Sequence, residues 1–228
     1  MNYACPWWNY YYWRERYPYN YWWGRPSWGQ VCGFYPDWGW EQAYYYDYSN
    51  EGNVVVRNNY VYVNEQQVAT QAEYAKSAAE LATADMPSAA APDNTQNVEW
   101  LPLGTFALSA SPDKPQETAK AAIQLASTKD GLISGSFYNR EMNQTFPIQG
   151  RVDKNTQRVA FTVIGAEKTV FETGMFNLTQ PEAPLMVHVN GGTETKTCLL
   201  VRLDAPKDAD EKNAAPSDAE GSIRSILE

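Results

Sequence analysis

From residue 99 to residue 203 apolar and polar positions alternate in short runs broken by turn signals, the pattern of antiparallel strands with one face in and one face out. Ile123 and Leu125 alternate with Gln124. Val159, Phe161 and Val163 alternate with Ala160 and Thr162, and Leu199, Val201 and Leu203 with Leu200 and Arg202. The pattern predicts strands near 99–109, 120–127, 131–139, 145–153, 157–164, 169–178, 184–190 and 195–203. "KDG" (129–131), "DKNT" (153–156) and "NGG" (190–192) supply turns between them. No helix is long enough to serve as a crossover, so the expected fold is mainly β: an antiparallel up-and-down meander whose closure into an eight-stranded barrel removes the sheet edges. Eight strands leave an interior just wide enough for side chains or one small ligand.

Upstream, "NVVVRNNYVYVN" reads as a β-hairpin with Val54 to Val56 and Tyr60 to Val63 as arms and Asn58-Asn59 as the turn, because Asn tolerates positive φ. "ATQAEYAKSAAELATA" follows as one α-helix, opened by the capping-box pair Thr70 and Glu73, with Tyr74, Ala78 and Leu81 as its apolar stripe. The chain therefore divides into an aromatic irregular region (1–50), hairpin plus helix (51–86), a linker (87–98), the barrel (99–204) and an acidic tail (205–228). The tail is poor in apolar residues and is expected to be disordered.

Composition changes this picture most at the amino end. Residues 1–48 hold 12 Tyr, 8 Trp and 1 Phe, and Pro6, Pro18, Pro26 and Pro36 interrupt any regular element. The rings suit either a half-exposed interface or self-packing, and self-packing is the expected arrangement because exposed apolar patches are usually small. A net charge of -9 argues against nucleic acid, since the rings lack the basic groove that tracks a phosphate backbone. No run reaches the length of a membrane span. "MNYACPWW" is unlike a signal peptide, and the aromatic texture leads us to expect an extracytoplasmic or cell-surface protein whose signal peptide lies upstream of Met1. Cys5 and Cys32 bracket the aromatic run, and a disulfide between them would close a loop of about 27 residues, stabilising it by ~3 kcal/mol. The open alternative is two unpaired thiols. Cys198, in "TKTCLLVRL", is expected to be a small buried residue.

Two resemblances are carried by ordered motifs. "WGWEQAYYYDY" (38–48), "NVVVRNNYVYVNEQQVATQAEYAKSAAELA" (53–82), "EWLPLGTFAL" (99–108), "QGRVDKNTQRVAFTV" (149–163) and "ETGMFNLT" (172–179) resemble the bacterial mu-protocadherin-like cell-surface proteins. This implies an exported protein. The barrel segment resembles the avidin-like barrels through "GTF" (104–106), "DGLISGSFYN" (130–139), "IQGRVD" (148–153), "QRVAFTV" (157–163) and "TGMF" (173–176), which implies an avidin- or lipocalin-like barrel type. The positions where that family places a polar Asn, a Tyr hydroxyl and a Trp wall around biotin fall on Leu108, Phe137 and Gly165, so biotin binding is not implied.

Chemistry is sparse. The single histidine, His188, alternates with Leu185, Val187 and Val189 and is expected to face solvent. The sequence has no HExxH, CxxC, Walker loop, GxGxxG or GxSxG. Catalytic, cofactor and metal residues are accordingly assigned as none. Glu172, set among Val170, Phe171 and Phe176, must be paired if buried, with Arg151, Arg158 or Arg202 as partner. It is the candidate polar anchor at the barrel mouth, against the plainer reading of a structural salt bridge. The expectation from sequence is a non-enzymatic surface protein with a structural or interaction role, its partners envelope proteins or glycans. The alternative is a barrel module that binds a small molecule or glycan.

Overall fold

A computed structural model describes residues 22–84, 98–110 and 121–204. Cys5, most of the expected linker and the acidic tail lie outside them. Eight antiparallel strands form a closed barrel: β4 (Trp100–Ser109), β5 (Ala121–Thr128), β6 (Leu132–Asn139), β7 (Gln144–Val152), β8 (Arg158–Val163), β9 (Val170–Gly174), β10 (Glu182–Val189) and β11 (Glu194–Arg202). Each strand pairs with its sequence neighbours, and β11 returns to β4 through Leu199 opposite Ser109 and Arg202 opposite Phe106. The expected meander is thus present. One strand is shorter than expected: β9 ends at Gly174, and a 3₁₀ turn over Asn177–Thr179 follows.

The inward residues fill the barrel. Phe106, Phe137, Phe161, Phe171, Leu108, Ile123, Leu125 and Ile133 are all fully buried in one cluster. Phe161 stacks on Phe171 at 5.3 Å between centroids. In β11 the inward set is Cys198 and Leu200 rather than Leu199, Val201 and Leu203, because the pairing with β4 fixes the opposite parity. Burial raises the Cys198 thiol to about 11, against a minor opposing effect of Lys196.

The described part of the aromatic region, from residue 22 on, is more regular than expected. α1 (Trp28–Phe34) forms behind a Ser27/Gln30 capping box, a signal hidden by the surrounding rings. With the 3₁₀ turn Pro36–Trp38 it closes the barrel end where β4 begins and β5 finishes, adding Val31, Phe34, Tyr35 and Trp40 to the barrel's own core. Tyr35 stacks on Trp38 at 4.3 Å and donates its hydroxyl to Ser127 Oγ at 2.5 Å. Trp40 donates Nε1 to the Lys154 carbonyl at 2.7 Å. Gly131, at φ +84, gives Trp38 room: a Cβ there would lie 2.6 Å from the indole. Cys32 is a free thiol whose Sγ donates to the Trp40 carbonyl at 3.2 Å.

The hairpin is β1 (Val54–Arg57) with β2 (Tyr60–Val63), and Asn58 and Asn59 both have positive φ as the turn requires. A third strand, β3 (Gln66–Thr70), corrects the expectation of a hairpin alone. Its turn places Asn64 and Glu65 at positive φ, and Glu is not a turn signal. α2 (Gln71–Thr83) starts from the Thr70/Glu73 capping box. Its buried stripe is Tyr74, Ala75, Ala78 and Ala82, with Leu81 only half-buried, and the small side chains let it lie close on β7, β8 and β9.

Candidate functional site

Parity and register assemble the site on the outer wall of the barrel. Glu172 in β9 pairs with Ala160 of β8 and Met186 of β10, so Arg158 and His188 lie two residues away on the same face, as diagonal neighbours. Two tyrosines arrive from outside the barrel. Tyr74 comes from the first turn of α2, and Tyr48 from residues 41–48, a segment we term the strap. All four side chains converge on one carboxylate. Tyr74 and Tyr48 donate their hydroxyls to Oε1 at 2.8 and 3.1 Å. Arg158 Nη2 donates to Oε2 at 2.5 Å, and His188 Nε2 lies 3.2 Å from the same oxygen. An ionised carboxylate only accepts, so Nε2 carries the proton.

The carboxylate is fully engaged, while Arg158 Nε and His188 Nδ1 are buried without a hydrogen-bond partner. Glu172 is fully buried, and Arg158 is 12 % exposed. Arg158 also donates to Ser77 Oγ at 2.9 Å and lies over the Tyr74 ring at 4.1 Å, which ties α2 to the wall. Burial alone would raise the Glu172 pKa, but the Arg158 charge, helped by the His188 and Arg158 hydrogen bonds, holds it at about 2. Burial, and then the Glu172 charge, push the Tyr48 and Tyr74 hydroxyls well above the ordinary phenol range. Near neutral pH the carboxylate stays charged and both phenols stay protonated. The arrangement works as a latch between three layers: strap, helix and barrel wall.

Two expectations are corrected here. His188 faces outward as its alternation predicted, yet it is 2 % exposed because Tyr74 of α2 covers it rather than solvent. Glu172 sits on the barrel's outer wall under the strap and helix, not at the mouth, because Phe171 takes the inward position. Arg158 is the partner of the three considered. Arg151 instead reaches the Ala84 and Asp130 carbonyls. Arg202 caps the 3₁₀ turn through the Gln180 and Leu178 carbonyls, reaches the Gly24 carbonyl, and lies over Phe106 at 4.6 Å. Burial, with Arg25 nearby, lowers its pKa to about 10. The sequence reading missed Tyr48 and Tyr74 as ligands of Glu172, since they come from segments far along the chain. Of the expected disulfide, Cys32 is described and Cys5 is not. Among the described residues no group of three or more His, Cys, Asp or Glu could hold a metal ion. No helix there is long and apolar enough to cross a membrane.

The strap is held by more than the latch. Its Tyr44, Tyr46 and Tyr48 rings lie on one side, 4.7 and 6.1 Å apart in sequence order, while Tyr45 points away and is exposed, the alternation of an extended chain. Asn177 accepts from the Tyr46 N–H at 2.9 Å and donates to the Tyr46 carbonyl at 2.7 Å. Gln157 accepts from the Tyr44 N–H at 2.9 Å and donates to the Gln42 carbonyl at 2.7 Å. Fold and site together define a closed meander barrel, plugged at one end and strapped along one wall. No protein-family model, curated protein or solved structure matches the chain.

Proposed function

We propose that this chain is a non-enzymatic protein with a structural or interaction role at the cell surface or elsewhere outside the cytoplasm. The observation that carries the reading is the plug: the barrel core is filled by its own side chains, and α1 with Trp38 and Trp40 closes one end over it. A core built this way offers its surfaces rather than a cavity. The latch points the same way, because Tyr48 and Tyr74 join the strap and the helix to Glu172 while Arg158 and His188 brace it within the wall. The resemblance to mu-protocadherin-like surface proteins supports the location, with envelope proteins or glycans as partners. The alternative, a small molecule or glycan held by the barrel, loses ground to the filled interior.

The test is protease treatment of intact source cells followed by mass spectrometry. Peptides from 22–84 and 99–203 should be released before lysis. Their appearance only after lysis removes the surface location. In parallel, a thermal-shift panel of oligosaccharides and small metabolites against the purified chain should leave the melting temperature unchanged. A saturable rise would move the assignment to a binding module.

A further inference from the structure

The strap backbone is held by two side-chain amides of the barrel. A side-chain amide presents an acceptor and a donor side by side, as one residue of a neighbouring strand does. Asn177 and Gln157 each use both on strap backbone and so stand in for the rungs of a missing β-strand. Asn177 is fully buried, and both polar atoms of its side chain serve Tyr46. Alternate side chains are read as well. The Tyr46 hydroxyl donates to the Thr156 carbonyl at 2.8 Å, and its ring lies against Gly174, where a Cβ would come within 2.6 Å of it. Tyr48 reaches Glu172, and Thr197 Oγ1 donates to the Tyr48 carbonyl at 3.4 Å. Main-chain hydrogen bonds for affinity and alternate pockets for specificity are the features of extended-peptide recognition.

We propose that the groove along Gln157, Gly174 and Asn177 is a peptide-binding site for extended segments with tyrosines at alternate positions, occupied in cis by the strap and in trans by the same segment of a second copy of this chain. This inference rests on the interaction reading above and names its partner. Two features favour a second copy. The strap fits the groove residue by residue, and the contacts to Gln157, Asn177, Thr156, Glu172 and Thr197 that seat it are the same whether the segment comes from its own chain or a neighbour's. The chain also repeats the spacing at Tyr17, Tyr19 and Tyr21, so each copy carries more matching sequence than its one groove takes. Exchange of like for like costs little beyond opening the cis contact, as in domain swapping.

The experiment uses the full chain. Light and heavy-nitrogen copies carrying p-benzoylphenylalanine in place of Tyr45, which lies 6.4 Å from Phe176, are mixed at high concentration and irradiated. Cross-linked peptides joining the strap to the 174–182 segment should include pairs of one light and one heavy member. Only like-isotope pairs would overturn the second copy as partner. Separately, a fluorescein-labelled peptide of sequence QAYYYDYS is titrated into Tyr46→Ala protein, whose own strap is weakened. Saturable binding that falls at least tenfold when Asn177→Ala is added supports the groove, and absent binding, or binding indifferent to Asn177, overturns it. Both readouts use purified protein, so a failure here leaves the cellular location untouched, and an intracellular location leaves the groove untouched.

Discussion

Replacing Glu172 with Gln keeps the size of the side chain and removes its charge. Four donors now converge on a group with one acceptor oxygen and one NH₂, so at least two of Tyr48, Tyr74, Arg158 and His188 face a donor, and the buried guanidinium loses its counter-charge. Breaking a buried pair from one side costs roughly 3–5 kcal/mol. Linkage gives a similar figure. A carboxyl lowered from 4.5 to about 2 corresponds to about 3 kcal/mol of stability at neutral pH. For a domain of this size that is roughly 6–20 °C in melting temperature, measured by circular dichroism with urea unfolding as a check. The sign is set by a depressed folded-state pKa: the contribution is present above about 4.5 and is lost as pH falls toward about 2. The gap between parent and Glu172→Gln should therefore be flat above pH ~5 and close in acid. A variant within ~0.5 kcal/mol of the parent at neutral pH, or a gap that widens in acid, would refute the latch.

Three further outcomes are expected. Gly131→Ala, forced to positive φ with its Cβ 2.6 Å from Trp38, should lose roughly 1–3 kcal/mol and change tryptophan emission as the plug shifts; unchanged urea midpoint and emission would count against the plug. In alkali, Cys198, Tyr35, Tyr46, Tyr48 and Tyr74 all have pKa values raised by burial, so their contribution is intact below the unfolded values and lost as pH rises through the folded ones. Melts from pH 8 to 11 should fall steadily, and Cys198→Ala should flatten the part between 9 and about 11. Asn58→Val places a β-branched residue at φ +51 and should cost ~1–2 kcal/mol by urea unfolding, whereas Asn58→Gly should be nearly neutral.

Much of the barrel is legible in the sequence because its signal is local. Alternation in 121–128, 158–163 and 182–189 survives burial of both faces, and the turns at Lys129-Asp130 and Asp153 to Thr156 announce themselves. The failures are local too. β3 is "QQVAT", polar where strands are usually β-branched, and its turn bends at a glutamate. α1 has seven residues, two of them glycine, inside a ring-dense run with no helical period.

The site separates what parity decides from what packing decides. That Arg158, Glu172 and His188 share a face follows from period two and the β8–β9–β10 register, so their meeting was within reach of sequence reasoning. Whether that face meets solvent was not, because the answer depends on where α2 and the strap come to rest. A buried Glu–Arg pair on a sheet is by itself weak evidence for stability. Here the carboxylate collects donors from the strap, the helix and two strands, each presented in register, and the same strap is clamped by two amides that make no comparable bonds within the barrel. Polar groups spent this way set the position of a layer more than they add to its burial. The barrel wall is therefore read as the seat for one particular tyrosine segment, and any partner that engages this wall must first replace that segment.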